Sequence, residues 1–274
     1  MGLSDQATMF YDTHSHLDYP DFAEELEALV ERARQAGISK IVSIGTDLQS
    51  SRRAIQLSER FPNVFAVVGW HPNDASSAPE DLKPALRELA RHPKVVAIGE
   101  TGLDYYRLPD AHGEPSEANL ALKRKQAQVF QQHLEVAAEL DFNCVIHQRA
   151  AFGDTVAMMK PFAGRVRGQF HCFADDPDAM RQVLELGSLV SFTGILTFKN
   201  GQNIRDTLGA TPLGKFMLET DCPFLAPVPY RGRRCEPAYV REIATVAAEV
   251  KQCSLSELSQ ATCAAAHEFF PKLI

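Results

Sequence analysis

Apolar positions along this chain fall into two alternating rhythms. Short, nearly continuous apolar runs, rich in β-branched or aromatic residues, occupy Met9–Asp12, Lys40–Ile44, Val64–Val68, Val95–Ile98, Asn143–Ile146, Gly168–Phe170, Leu189–Phe192 and Phe216–Leu218. Between them, Asp21–Ala36, Ser50–Arg60, Glu80–Arg91, Ser116–Leu140, Thr155–Phe162, Pro177–Leu186 and Glu236–Val250 carry apolar residues at three- and four-residue spacing. The first rhythm predicts strands buried on both faces and the second predicts amphipathic helices. Asn200–Leu208 is a shorter helical candidate, so an abbreviated seventh helix is expected. Strand and helix in strict alternation predict an α/β protein with a parallel sheet, and eight such units close naturally into a (β/α)₈ TIM-type barrel. The alternative is a doubly wound open sheet. It loses ground because no GxGxxG follows the first strand and no GxxxxGK[ST] occurs, so nothing marks a dinucleotide or nucleoside-triphosphate site.

A length of 274 residues with 45% hydrophobic content suits a single barrel domain spanning 1–274, since about 250 residues is typical of this architecture. No linker or low-complexity run divides the chain, and no apolar stretch nears the roughly 18 residues of a membrane span. Six cysteines form no CxxC pair, and no basic segment followed by an apolar run opens the chain, so reduced thiols and a cytoplasmic location are expected. The formal net charge is −7, from 28 basic and 35 acidic side chains. A protein held to nucleic acid by bulk electrostatics is usually basic, so any grip on phosphate must be local or carried by metal ions.

The chemistry gathers at the ends of the strands. The first strand runs into Asp12-Thr13-His14-Ser15-His16, which sets two imidazoles on one side of an extended segment. Glu100 follows the fourth strand, His147 the fifth, His171 the sixth and Asp221 the eighth. In a barrel these converge on the C-terminal mouth, where barrel enzymes keep their active sites. Taken singly, each histidine has a bland reading as a hydrogen-bonded core residue; the coincidence argues for a metal centre. Imidazole with carboxylate suits Zn²⁺, Mn²⁺ or Fe²⁺, or Mg²⁺ with retained waters. Six ligands, His14, His16, Glu100, His147, His171 and Asp221, exceed the needs of one catalytic ion. They fit two divalent ions with Glu100 shared between them, an arrangement suited to in-line displacement at phosphorus, with Asp221 as proton acceptor.

These residues lie in the segments DTHSHLD (12–18), GWHP (69–72), GETGLDYY (99–106), VIHQR (145–149), FHCF (170–173) and ETDCPFL (219–225), followed by PYRGRRCEP (229–237). The set resembles the signature blocks of the TatD family of metal-dependent deoxyribonucleases. The resemblance implies a barrel, a divalent-metal site built from the same six residues, and hydrolysis of DNA phosphodiester bonds, often from a 3′ end and preferably on single strands. The chain departs from the family pattern at Ala150, at Ala174 and Asp175, at Cys235 and in Thr262-Cys263-Ala264, none of which removes a ligand.

Around the metals, His71 is placed to donate to a phosphate oxygen or leaving group, or else to bond a neighbouring loop. Tyr105 offers a ring for base stacking or for packing its own loop, and Arg149 a phosphate clamp. Arg231 and Arg233, with Arg234, put positive charge beyond the eighth strand. Lys123-Arg124-Lys125 reads as a solvated helix face, and Asp18 and Asp47 as structural. The resemblance makes single-stranded DNA the expected partner; no membrane and no protein partner is expected. The competing reading is an amidohydrolase acting on a small cyclic amide or lactone. Many such enzymes bridge their metals with a carboxylated lysine at the fourth strand, where this chain has Glu100. A non-catalytic protein with a structural metal is disfavoured by the excess of ligands.

Overall fold

The computed structural model describes residues 8–109 and 116–273. Eight parallel strands, β1 (Phe10–Ser15), β2 (Ile38–Ile44), β3 (Val64–Val68), β4 (Val95–Asp104), β5 (Cys144–Arg149), β6 (Gly168–Phe170), β7 (Leu189–Phe192) and β8 (Phe216–Leu218), pair in sequence order. The ring is drawn together at the β1–β8 seam by a parallel bridge between Ser15 and Cys222. There Asp221 N donates to His14 O at 2.9 Å and His16 N to Cys222 O at 2.9 Å. The barrel expected from the apolar rhythm is the observed architecture.

Helices α1 (Leu26–Gln35), α2 (Leu48–Arg60), α3 (Lys83–Leu89), α4 (Glu117–Leu140), α5 (Phe152–Met159), α6 (Pro177–Glu185), α7 (Gln202–Ala210) and α8 (Val240–Lys251) surround the strands. Three of them start on a side-chain cap. The Asp47 carboxylate accepts from Ser50 N at α2, Ser116 from Asn119 N at α4 and Asp176 from Ala179 N at α6. Helix α7 is not abbreviated: at nine residues it equals α6, because Ile204 and Leu208 supply a buried stripe.

Strands β1 and β5 run three residues past their expected ends, to Ser15 and Arg149, and two larger departures bear on the site and the floor of the barrel. The fourth strand continues through Gly99-Glu100-Thr101-Gly102 to Asp104 rather than ending at Ile98. Glycine permits this, since Gly102 has φ +136° and a Cβ there would lie 2.0 Å from the His147 carbonyl oxygen of β5. The second is α9 (Leu255–Phe269), opened by a capping box between Ser254 and Glu257, which no sequence expectation covered. Its end and the residues after it deliver Phe269, Phe270 and Leu273 against Val42, Ile44, Phe65, Val67, Val96, Val145, Leu189 and Met217. This plug closes the N-terminal floor of the barrel, so only the opposite end is open.

Candidate metal centre

Above the apolar floor lies a buried polar layer. Gln169 Nε2 donates to Thr13 Oγ1, Ser191 Oγ and Glu219 Oε2 at 3.1, 3.1 and 2.8 Å, and Ser191 Oγ donates to Glu219 Oε2 at 2.7 Å. At the β1–β8 seam the Asp12 carboxylate accepts from Thr220 N at 2.9 Å and from Thr220 Oγ1 at 2.6 Å. This layer is a rigid base for the strand ends, because every member is held by partners from another strand.

The six expected ligands converge directly above it. His14 Nε2 lies 3.4 Å from His16 Nε2, 3.5 Å from Glu100 Oε2 and 3.6 Å from Asp221 Oδ1, and His16 Nε2 lies 3.3 Å from Asp221 Oδ1. The other oxygen of the same carboxylate, Glu100 Oε1, lies 2.8 Å from His171 Nε2, 3.0 Å from His147 Nδ1 and 3.3 Å from His71 Nε2. Glu100 therefore stands between two groups of donors, one oxygen toward each. Asp221 sits beside the β1 histidines, as the closure of β8 on β1 requires.

Partners behind the imidazoles decide which nitrogen faces the centre. His147 Nε2 lies 3.2 Å from Asp104 Oδ2, so the neutral ring donates there and turns the Nδ1 lone pair inward. His71 is the reverse case. Its Nδ1 accepts from Asn73 N at 3.1 Å, which leaves Nε2 as the protonated nitrogen of the neutral ring, so His71 faces the site as a donor. Glu219, fully buried, has Oε1 3.7 Å from His171 Nδ1 and accepts from Cys172 N at 2.6 Å. Asp104 and Glu219 were visible only as members of motifs, with no role attached to them. The signal was their spacing, four residues after Glu100 and two before Asp221, which repeats the side of the strand.

The electrostatics suit cations. Burial opposes ionisation of Glu100, but His171, His71 and His14 outweigh it and hold its carboxyl well below the ordinary value. Burial likewise opposes ionisation of Asp221, and His16 and His14 overcome it, so both carboxylates are anionic near neutrality. Burial should discharge His171, yet Glu100 and Glu219 raise it well above its usual range. Among the described residues, Glu100 Oε2, His14 Nδ1, His16 Nδ1 and His171 Nδ1 are buried and find no hydrogen-bond partner. An anionic oxygen left so, facing two imidazole nitrogens, fits a divalent ion, and the mixed nitrogen and oxygen donor set fits the metals expected from the sequence.

The centre forms the floor of a cleft of about 690 Å³, whose walls include Tyr19, His71, Asn73, Arg107, Arg149 and Phe224. Arg149 is thus at the mouth as expected, its guanidinium stacked 3.8 Å over the Tyr106 ring. Tyr105 is not. Its hydroxyl donates to Asp154 Oδ2 at 2.8 Å and Lys123 Nζ covers its ring at 4.0 Å, so it packs its own loop and takes no place in the cleft wall. Arg231 and Arg233 also lie outside the cleft: Arg231 stacks 3.6 Å over Phe198, and Arg233 is exposed. Arg234 is committed to Glu25 and the Asp21 carbonyl. Asp18 and Asp47 have the structural roles expected, Asp18 accepting from Ser50 Oγ at 2.8 Å and Arg53 Nη2 at 2.9 Å. Of the departures from the family pattern, Ala150, Ala174 and Asp175 line the cleft, with Gln148 donating to Asp175, while Cys235 is buried. All six cysteines are free. Among the described residues no helix is long and apolar enough to cross a membrane.

Comparison with known proteins places the chain in a family. The family model described as TatD related DNase matches residues 11–271. The uncharacterized metal-dependent hydrolase YabD of Bacillus subtilis is 35% identical over 263 residues, covering 96% of this chain and 99% of that protein. A Klebsiella pneumoniae protein named 3′-5′ ssDNA/RNA exonuclease TatD is 33% identical over 239 residues, covering 85% of this chain and 87% of that one. Among solved structures, the TatD homolog YJJV from Escherichia coli K12 superimposes with a TM-score of 0.86 at 26% identity, covering 96% of this chain and 98% of that one. With the match spanning nearly every strand and helix of the barrel, the chain belongs to the TatD-related DNase family of metal-dependent hydrolases.

Proposed function

We propose that this protein is a divalent-metal-dependent deoxyribonuclease that removes nucleotides from the 3′ end of single-stranded DNA, using two ions at the mouth of its barrel. The observation that carries the reading is Glu100, a single buried carboxylate with one oxygen toward His14 and His16, which Asp221 also meets, and the other toward His147 and His171. The exonuclease name of the Klebsiella pneumoniae relative supports the substrate. Bound ions would neutralise the charge of a scissile phosphodiester and make water more acidic, which the net charge of −7 cannot do alone. Six residues would hold them: His14, His16, Glu100, His147, His171 and Asp221.

The remaining steps belong to the chain's own groups. Asp221, anionic and at the edge of the centre, accepts the proton of the attacking water. His71 Nε2–H donates to a phosphate or leaving-group oxygen. Arg149 and Arg107 hold the neighbouring phosphate at the β4–β5 side. Free thiols throughout accord with a reducing, cytoplasmic setting. The test is to strip the protein of metal and incubate it with end-labelled single-stranded and duplex oligonucleotides, restoring Mg²⁺, Mn²⁺ or Zn²⁺ in turn. Metal-dependent shortening of single strands from the 3′ end is expected. Inert oligonucleotides alongside hydrolysis of a cyclic amide or lactone would replace this reading with the amidohydrolase one.

A further inference from the structure

Phe224 is an anomaly in the cleft. It is a large apolar side chain left 47% exposed in the wall of the cleft, beside the metal-facing carboxylate and imidazoles. What sets it apart from other exposed apolar side chains is its place, since its free surface opens into the cleft that holds the candidate metal ligands. Its position is fixed nonetheless: Phe224 N donates to Asp221 O at 3.0 Å, tying the ring three residues from a metal-facing carboxylate. Tyr19, arriving from the end of β1, meets it edge-on, with centroids 5.6 Å apart and planes at 88°. Both rings touch His16, at 5.4 Å for Tyr19 and 6.3 Å for Phe224. The pair therefore stands one imidazole away from the metal-facing nitrogen of His16, much as a sugar separates a nucleobase from its phosphate.

The mouth is divided in kind. Following the strand order around the barrel, the β8–β1 seam lies across from β4 and β5. The exposed aromatic surface of Phe224 and Tyr19 is at the seam. The guanidinium groups of Arg107 and Arg149 are on the far side, with Arg149 stacked on Tyr106. A ligand crossing the centre would meet an aromatic wall at one side and a cationic wall at the other. A nucleotide has that asymmetry, a flat π-system joined to an anion.

We propose that Phe224, braced by Tyr19, is a stacking subsite for the nucleobase of a nucleotide flanking the scissile phosphate. The inference rests on the nuclease reading above and assigns the base-binding surface of that same site. A ring face accepts any base, so the subsite gives affinity and positioning for bases as a class, without sequence preference. It also favours single strands, because a base paired and stacked in a duplex has no free face to offer.

The test pairs a protein variant with a substrate variant. Wild type, Phe224→Leu and Phe224→Tyr are compared on single-stranded oligonucleotides ending in normal thymidines and on matched ones with an abasic tetrahydrofuran residue at the terminal or penultimate position. Leucine keeps an apolar contact but removes the π-face; tyrosine keeps both. Wild type should prefer the base-bearing end by roughly 5- to 100-fold in kcat/KM, the range expected of one stacked base. In Phe224→Leu that preference should collapse at one of the two positions, and in Phe224→Tyr it should persist. A binding arm places 2-aminopurine at the same position, where stacking quenches its fluorescence; the quench should vanish in Phe224→Leu. If Phe224→Leu lowers turnover equally on base-bearing and abasic ends, or changes neither, the subsite is wrong while the nuclease reading stands. If wild type cuts none of the oligonucleotides under any metal, the nuclease reading fails and the subsite with it.

Discussion

His133 offers the most quantitative test of how this barrel holds its strand ends. The ring is fully buried on α4 and bridges two backbone groups: Nδ1 donates to Val129 O at 2.7 Å and Nε2 accepts from Trp70 N at 2.9 Å. Trp70 immediately precedes His71, so this lone pair anchors the segment that carries a donor into the cleft. Burial, partly offset by the Val129 carbonyl, lowers the imidazole from its ordinary 6.5 to about 4. The folded protein thus keeps the ring neutral at pH values where the unfolded chain has already taken up a proton. Stability from this group is complete above about pH 6.5 and is lost as pH falls toward about 4. At roughly 1.4 kcal/mol per pH unit, that interval amounts to about 3 kcal/mol. His133→Gln retains an acceptor for Trp70 and a donor for Val129 but cannot titrate. Urea unfolding of wild type and His133→Gln, at matched metal content from about pH 4 to about pH 8, cancels the other histidines in the difference. The wild type should lose about 3 kcal/mol relative to the mutant as the pH falls. A difference that stays constant within about 0.5 kcal/mol would show that His133 is not held neutral by the fold.

Glu100→Ala should fold normally yet lose both ions and all turnover, checked by metal analysis of the purified protein; full metal content with normal turnover would reject a shared carboxylate. Asp221→Asn keeps the size and one ligand oxygen, so kcat should fall about 10²- to 10⁴-fold with a smaller change in substrate binding, provided metal occupancy is shown to be unchanged. Arg149→Ala should weaken oligonucleotide binding and reduce the salt slope by about 0.7, the value for one phosphate contact on a single strand. Replacing Arg231 and Arg233 together should spare dinucleotides and weaken only longer strands, because both lie outside the cleft; equal losses on both lengths would place them inside it. Phe269→Ala opens the barrel floor and should cost about 3–5 kcal/mol of stability in chemical denaturation, with little change in metal content.

Much of this was legible in the order of residues. Runs such as Val64–Val68 and Leu189–Phe192 coincide with observed strands because a strand buried on both faces has no other way to be written. The convergence of His14, His16, Glu100, His147, His171 and Asp221 was also legible, since parallel strands of a barrel must all end on one side. The extension of β4 through Gly99 and Gly102 was not: glycines read as a turn until β5 is seen to need their missing side chains. Nor was the role of α9 anticipated: its Ser254–Glu257 capping box and alanines favour a helix, but its phenylalanines matter only because a barrel has a floor to fill. Tertiary structure alone decided the finer chemistry. Asp104 turns the His147 Nδ1 lone pair inward and the Asn73 amide turns His71 into a donor; Asp154 and Lys123 occupy Tyr105, while Phe224 keeps nearly half of its surface exposed. Position along a strand sets which side of the sheet a residue takes. Which of its atoms faces the cleft depends on partners brought from other strands and helices, and their positions are known only once the ring is closed.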